Sequence, residues 1–181
     1  MQIAFIRPLA SRNWYINNVP LNYVHLAAYL REQGHQPHIL DQVTGWRSED
    51  IDKHIVANDI RVVGIGCMTC EFPDAVKESR RLKEVHPGIT VILGGAHPSG
   101  APEECLATGT VDYVVVGEGE IALTRLLDAL QAGRQPENIP GLTMLPGRKG
   151  LKRAIAMSLK ESTYLRRFSR SRVSRDVYWA R

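Results

Sequence analysis

Short apolar runs rich in β-branched residues alternate with longer amphipathic stretches over the first 145 positions of the chain. Strands are expected at residues 3–6, 37–40, 62–66, 90–93 and 112–116. Three of these runs, VVGIG, VILG and YVVVG, are continuously apolar, as in parallel strands covered on both faces. The intervening segments have helical spacing. PLNYVHLAAYLREQG places Pro20 in the first turn and stops at Gly34, with Leu21, Val24 and Ala28 on one face and Ala27 and Leu30 beside it. SEDIDKHIVAN opens on Ser48, a good N-cap, with Glu49 and Asp50 favouring the helix dipole. PDAVKESRRLKEVHPG begins at Pro73 and is stopped by Pro87 and Gly88. EIALTRLLDALQAG sets Leu123, Leu126, Leu127 and Leu130 at i, i+3, i+4 and i+7, and residues 102–107 supply a short helix for the remaining crossover.

This alternation predicts a doubly wound, flavodoxin-like (Rossmann-like) α/β domain: a five-stranded parallel sheet with helices on both faces. The stretch IPGLTML, residues 139–145, either adds an edge strand or begins a linker. Residues 1–145 form the expected domain, and residues 146–181 a weakly structured basic tail without a sustained apolar period.

Charge sharpens that division. The net charge of +4 is an average over unlike parts: residues 1–145 hold 12 Lys+Arg against 17 Asp+Glu, and residues 146–181 hold 11 against 2. The tail carries aromatics among its arginines but no recognisable nucleic-acid module, so nucleic-acid binding is not expected. No apolar run reaches the ~20 residues of a membrane span, and the N-terminus has no signal-peptide pattern. Three cysteines without framework spacing fit a reducing cytoplasm.

In a doubly wound sheet, ligands lie outside the carboxyl ends of the strands. The loops expected there are the unusual ones: RPLASRNWYINNVP, GCMTCEFP, GGAHPSGAP and GEGE, against short, bland turns at the other end. Bare backbone at Gly94, Gly95, Gly117 and Gly119 would admit something large, although glycines also serve simply as tight strand-to-helix turns. GEGEIA, residues 117–122, matches a dinucleotide fingerprint but follows the fifth strand, and Glu118 and Glu120 would repel a pyrophosphate. A largely neutral ligand rich in amide donors suits these carboxylates better. Two alternatives stay open: a flavin- or nucleotide-binding module, and a thiol redox protein using Cys67 and Cys70 in C-x-x-C.

LGGAHP followed by VVVGEGE, together with VVGIGCMTCEFPDAVKESRRLKEVHPGITV and PLNYVHLAAYLREQGHQPHILD, resembles the N-terminal cobalamin-binding domain of cobalamin-dependent radical SAM enzymes. That family includes the anaerobic magnesium-protoporphyrin monomethyl ester cyclase and many methyltransferases. The resemblance covers residues 1–145. It implies a corrin across the carboxyl edge, with its nucleotide tail running down beside the sheet. Gly94 and Gly95 would give the tail room, His97 and Pro98 would shape the rim, and Gly117, Glu118 and Gly119 would meet the ring edge or tail. Thr69 is a candidate hydrogen-bonding partner, and Pro8 and Leu9 follow the first strand at the same edge.

Two departures matter. The histidine motif D-x-H-x-x-G is absent after the first strand, and its nearest match, DKHIVA at residues 52–57, falls in a helix; base-off cobalamin with no protein histidine on cobalt is therefore expected. Full-length relatives also use a [4Fe-4S] cluster and S-adenosylmethionine, held through C-x-x-x-C-x-x-C, which this chain lacks. The change of character near residue 146 is what a truncated or frame-shifted gene would produce, and this chain alone is expected to bind rather than catalyse.

Overall fold

The computed structural model describes residues 1–9 and 19–145; the basic tail lies outside the described residues. The elements are β1 (Gln2–Arg7), α1 (Leu21–Glu32), β2 (Gln36–Asp41), α2 (Ser48–Ala57), β3 (Val62–Gly66), α3 (Phe72–Val85), β4 (Thr90–Gly94), α4 (Ala96–Gly100), α5 (Pro102–Ala107), β5 (Tyr113–Val115), α6 (Glu120–Gln131) and β6 (Leu142–Thr143). The strand order is β2-β1-β3-β4-β5-β6. The first five run parallel in the flavodoxin-like order, and the sixth is antiparallel to β5. The expected five-stranded parallel sheet is thus extended by one edge strand taken from IPGLTML.

Side chains alternate between two cores, as a pleated strand requires. Ala4, Ile6, Val63, Ile65, Val91, Leu93 and Val114 face Ile51, Ile55, Ala75, Leu82 and Leu106 from α2, α3 and α5. Ile3, Phe5, Val62, Ile92, Tyr113 and Val115 face Tyr23, Ala27, Leu30, Leu123, Leu126 and Leu127 from α1 and α6. Full burial of a side chain such as Leu126 or Leu127 is worth about 1.5–3 kcal/mol.

Details differ from the periodic reading. The buried face of α1 is Tyr23, Val24, Ala27 and Leu30, while Leu21 is 72% exposed. Tyr23 sets this rotation, because its ring must lie against Phe5. Pro20 precedes the helix rather than opening its first turn, and Ser48 is the first helical residue of α2 with Arg47 at the cap. GGAHPSGAP is not all loop: Ala96–Gly100 form one helical turn. No helix among the described residues is long and apolar enough to cross a membrane.

On the outer side of β1 and β2, His38 Nε2 lies 2.6 Å from Gln2 Oε1, and His38 Nδ1 lies 2.9 Å from His54 Nε2. Trp46 packs edge-on against His54. One nitrogen of the His38–His54 contact must be unprotonated, so the chain of bonds cannot form with both rings charged. Burial, then the neighbouring His54 and Arg31, hold His38 below the usual imidazole range, and burial does the same for His54. Both rings therefore bind protons more readily in the unfolded chain. Their contribution is present above the ordinary imidazole pKa and is lost as pH falls through about 6.5 toward the folded values. The melting temperature should drop between pH 7.5 and 5.5, and H38Q/H54Q should show a smaller drop, the remainder coming from His35, which burial also holds low. An unchanged drop in the double variant would refute this account.

Candidate functional site

VVGIG carries glycine at alternate positions, so one face of β3 is stripped of side chains at Gly64 and Gly66. In the parallel register Gly66 sits opposite Gly94 of β4, and Gly64 opposite Ile92. On the α1/α6 side the Phe5 ring covers Gly64 and the Tyr23 ring covers Gly66, while Gly94 is left open. Over it lies a groove of about 240 Å³, lined by Phe5, Tyr23, Leu26, Ile92, Val115 and Leu123, with Asn22, His25, Glu118 and Glu120 as its polar side chains. Backbone from Gly94, Gly95, Gly117 and Gly119 brings the groove out to the carboxyl edge.

Tyr23 holds the groove open. Gly66 donates its N–H to Tyr23 Oη at 2.7 Å, and the hydroxyl donates to the Ile6 carbonyl at 3.1 Å. The hydroxyl thus bridges β1 and β3 just beyond their last registered pair, Ile6 and Ile65. The ring stacks on Phe5 at a centroid distance of 5.6 Å and an angle of 15°. Burial raises the Tyr23 hydroxyl well above the usual phenol range, so it serves as a fixed neutral hydrogen-bonding group. On the flanking helices, His25 Nδ1 and Glu120 Oε1 pair at 2.9 Å.

The glycines are not equivalent. A Cβ on Gly94 would meet nothing closer than Val115 at 3.9 Å, so the space there is free. A Cβ on Gly95 would lie 2.9 Å from the Cys67 carbonyl oxygen and 3.1 Å from its nitrogen, and φ is +101°. Gly95 is therefore required by the protein's own backbone, where Cys67 donates its N–H to Gly94 O and His97 donates its N–H to Cys67 O. At Gly66 a Cβ would press on the Tyr23 ring and hydroxyl at 3.1 and 3.2 Å.

Gly94, Gly95, Gly117, Glu118 and Gly119 are brought together in this groove. Thr69, His97 and Pro98 form a separate group beside it. His97 belongs to α4 and tilts over Phe72 at 4.1 Å; its Nδ1 is 3.4 Å from Thr69 Oγ1, and Pro98 is buried. Pro8 and Leu9 line a different hollow with residues of α3, and the Leu9 N–H is taken by Gln42. Phe5, Tyr23, Gly64 and Gly66 were missed by sequence reasoning, although the alternation of glycine in VVGIG was a visible sign of a bare face.

The thiol alternative fares poorly. Cys67 is buried, and burial, then the neighbouring Cys105 and Cys70, push its thiol up to about 12. A thiol held neutral at pH 7 is a poor nucleophile. Among the described residues no cluster of three or more His, Cys, Asp or Glu side chains could hold a metal ion.

A doubly wound sheet with an open, glycine-floored slot at its carboxyl edge defines a cofactor-binding module. Its groove is smaller than the ~300–1,000 Å³ that encloses a whole drug-sized ligand. The family model for the B12 binding domain matches residues 15–127, and the chain belongs to that family. Among curated relatives it is 35% identical over 129 residues to an uncharacterized methyltransferase of Pyrococcus horikoshii, covering 68% of this chain and 27% of that protein. It is 30% identical over 144 residues to the anaerobic magnesium-protoporphyrin IX monomethyl ester cyclase of Rubrivivax gelatinosus, covering 74% and 25%. The chain thus spans about a quarter of the length of these relatives. The cobalamin-dependent radical enzyme OxsB superposes with a TM-score of 0.69 at 18% identity, over 80% of this chain and 21% of that one. The radical methyltransferase TsrM from Kitasatospora setae superposes with a TM-score of 0.67 at 20% identity, over 81% and 29%.

Two outcomes test this geometry. Y23F should unfold about 1–3 kcal/mol more easily in urea, because it leaves the Gly66 N–H and Ile6 carbonyl without their bridge; unchanged stability would deny the hydroxyl its structural role. Titration of the native protein with a thiol reagent should leave Cys67 and Cys105 unlabelled until denaturant is added, and rapid labelling of Cys67 would contradict its burial.

Proposed function

We propose that the chain binds cobalamin at the carboxyl edge of the sheet, with the nucleotide tail in the Gly64–Gly66–Gly94 groove, as the cofactor module of a radical SAM methyltransferase- or cyclase-type enzyme. The observation that carries this reading is the free space over Gly94 in a chain of the B12-binding family: among the described residues nothing fills the position where a side chain would stand. The residues fit such a guest. Its planar base would lie between the backbone at Gly94 and the apolar walls of α1 and α6, while the corrin, too large for the slot, would rest outside on the backbone of Gly95, Gly117 and Gly119.

Glu118, exposed at this edge, is an acceptor for the amides that fringe a corrin. Thr69, His97, Pro98, Pro8 and Leu9 stand at the same edge without lining the groove, and are assigned to the corrin's rim rather than to the tail. With the base in the groove rather than on cobalt, the cofactor is held base-off. His54, the histidine of the DKHIVA segment, is bonded to His38 on the other side of the sheet and is not a cobalt ligand in this reading. When bound, the corrinoid supplies a cobalt centre that carries a methyl group or takes part in radical chemistry. This chain's residues bind it, orient it and shield its tail. The cluster and S-adenosylmethionine belong to a catalytic domain bearing C-x-x-x-C-x-x-C, a motif not found in these 181 residues.

The flavin or nucleotide alternative meets an obstacle in the carboxylates of Glu118 and Glu120, which stand where phosphates would approach.

The test is uptake. Purified protein incubated with hydroxocobalamin and desalted should retain the corrin's visible absorption. G94V should retain its circular dichroism spectrum and lose uptake at least tenfold, because the new methyls occupy the groove and not the protein's interior. G95V is the wrong probe, since it collides with the Cys67 backbone and disturbs the fold itself. A colourless wild-type protein would end the proposal.

A further inference from the structure

Resting on the cobalamin reading, we infer that the groove discriminates among corrinoids by the chemistry of the lower base, accepting an apolar benzimidazole-type base and rejecting a purine. The depth of the slot is hydrocarbon: Phe5, Ile92, Val115 and Leu123, each 5% exposed or less, with the Tyr23 ring stacked behind Phe5. Several polar atoms near these walls already have partners within the protein. The Tyr23 hydroxyl is taken by Gly66 and Ile6, the Gly94 carbonyl by the Cys67 N–H, and the Gly119 carbonyl by the Leu123 N–H. Where the slot opens, the Gly117 N–H is taken by Ser99 Oγ. The polar side chains of the lining are displaced toward solvent: Asn22 and Glu118 are exposed, and His25 is paired with Glu120.

A benzimidazole brings one free ring nitrogen into such a slot. An adenine base brings three ring nitrogens and an exocyclic amine, which would leave water for a wall that, among the described residues, is hydrocarbon in its depth. A buried polar group without a partner carries most of its desolvation penalty, so the purine form is disfavoured about tenfold or more. Depth is limited as well. A Cβ placed on Gly64 would lie 2.9 Å from the Phe5 ring, so the slot ends there and a base cannot slide deeper to bring its polar edge elsewhere.

The experiment is equilibrium dialysis of the full 181-residue chain against three corrinoids: hydroxocobalamin, its adenine-based counterpart, and cobinamide, which lacks the nucleotide tail. The expected order of affinity is cobalamin first, with the adenine form at least tenfold weaker. V115T, which puts a hydroxyl on the wall at nearly unchanged shape, should narrow the gap severalfold, with the fold checked by circular dichroism. Equal binding of cobalamin and the adenine form would overturn the inference while leaving cobalamin binding intact. Cobinamide binding as tightly as cobalamin would overturn it too, by removing the tail from the groove. Retention of none of the three would bring down the cobalamin reading itself.

Discussion

One hydroxyl group holds the functional end of this domain in shape. β1 and β3 lie side by side where strand order reverses, and the amide of Gly66 there bonds to Tyr23 rather than to a neighbouring strand. The same side chain reaches the carbonyl of Ile6, so a single residue of α1 fixes the ends of both strands and the tilt of its own helix. That is why α1 presents Tyr23 and not Leu21 to the sheet. The wall of the groove and its floor are positioned by one set of bonds, in an interior where an unmet backbone amide is expensive.

Around that anchor the protein leaves out side chains. Most parallel sheets cover both faces with hydrocarbon. Here Gly64, Gly66 and Gly94 interrupt one face along two adjacent strands: the Phe5 and Tyr23 rings lie over the first two, and the groove continues over Gly94 toward Leu123. The opposite face, with Ile65, Val63 and Leu93, carries side chains at these positions and packs them against α2, α3 and α5.

Much of this was legible in the residues. The alternation of apolar runs and amphipathic stretches marked the order of elements, and lopsided loops marked the carboxyl edge. Gly94 and the GEGE turn were recognisable because glycines clustered directly after strands. Less accessible was anything depending on a partner distant in sequence. The ring of Tyr23 finds Phe5 and Gly66 only once the strands are assembled, and helical spacing alone cannot choose between Tyr23 and Leu21 as the inward residue. VVGIG looked like an uninterrupted buried strand because apolar content was counted without separating its two faces. His97 and Pro98 were taken for loop, since a single helical turn is too short to show a period. Pro8 and Leu9 share the edge with the groove, but sit on its far side, toward α3.

The last strand has an implication of its own. Leu142–Thr143 run antiparallel along β5, and Val116 donates its N–H to the Gly141 carbonyl, so the outer side of β5 is paired and the margin of the sheet is a strand of two residues. Among the described residues the other margin is β2, where Pro37 removes a donor from the row. Neither margin offers a long uninterrupted template for a foreign strand. Short or proline-interrupted margins of this kind give another chain few backbone groups in a row to pair with.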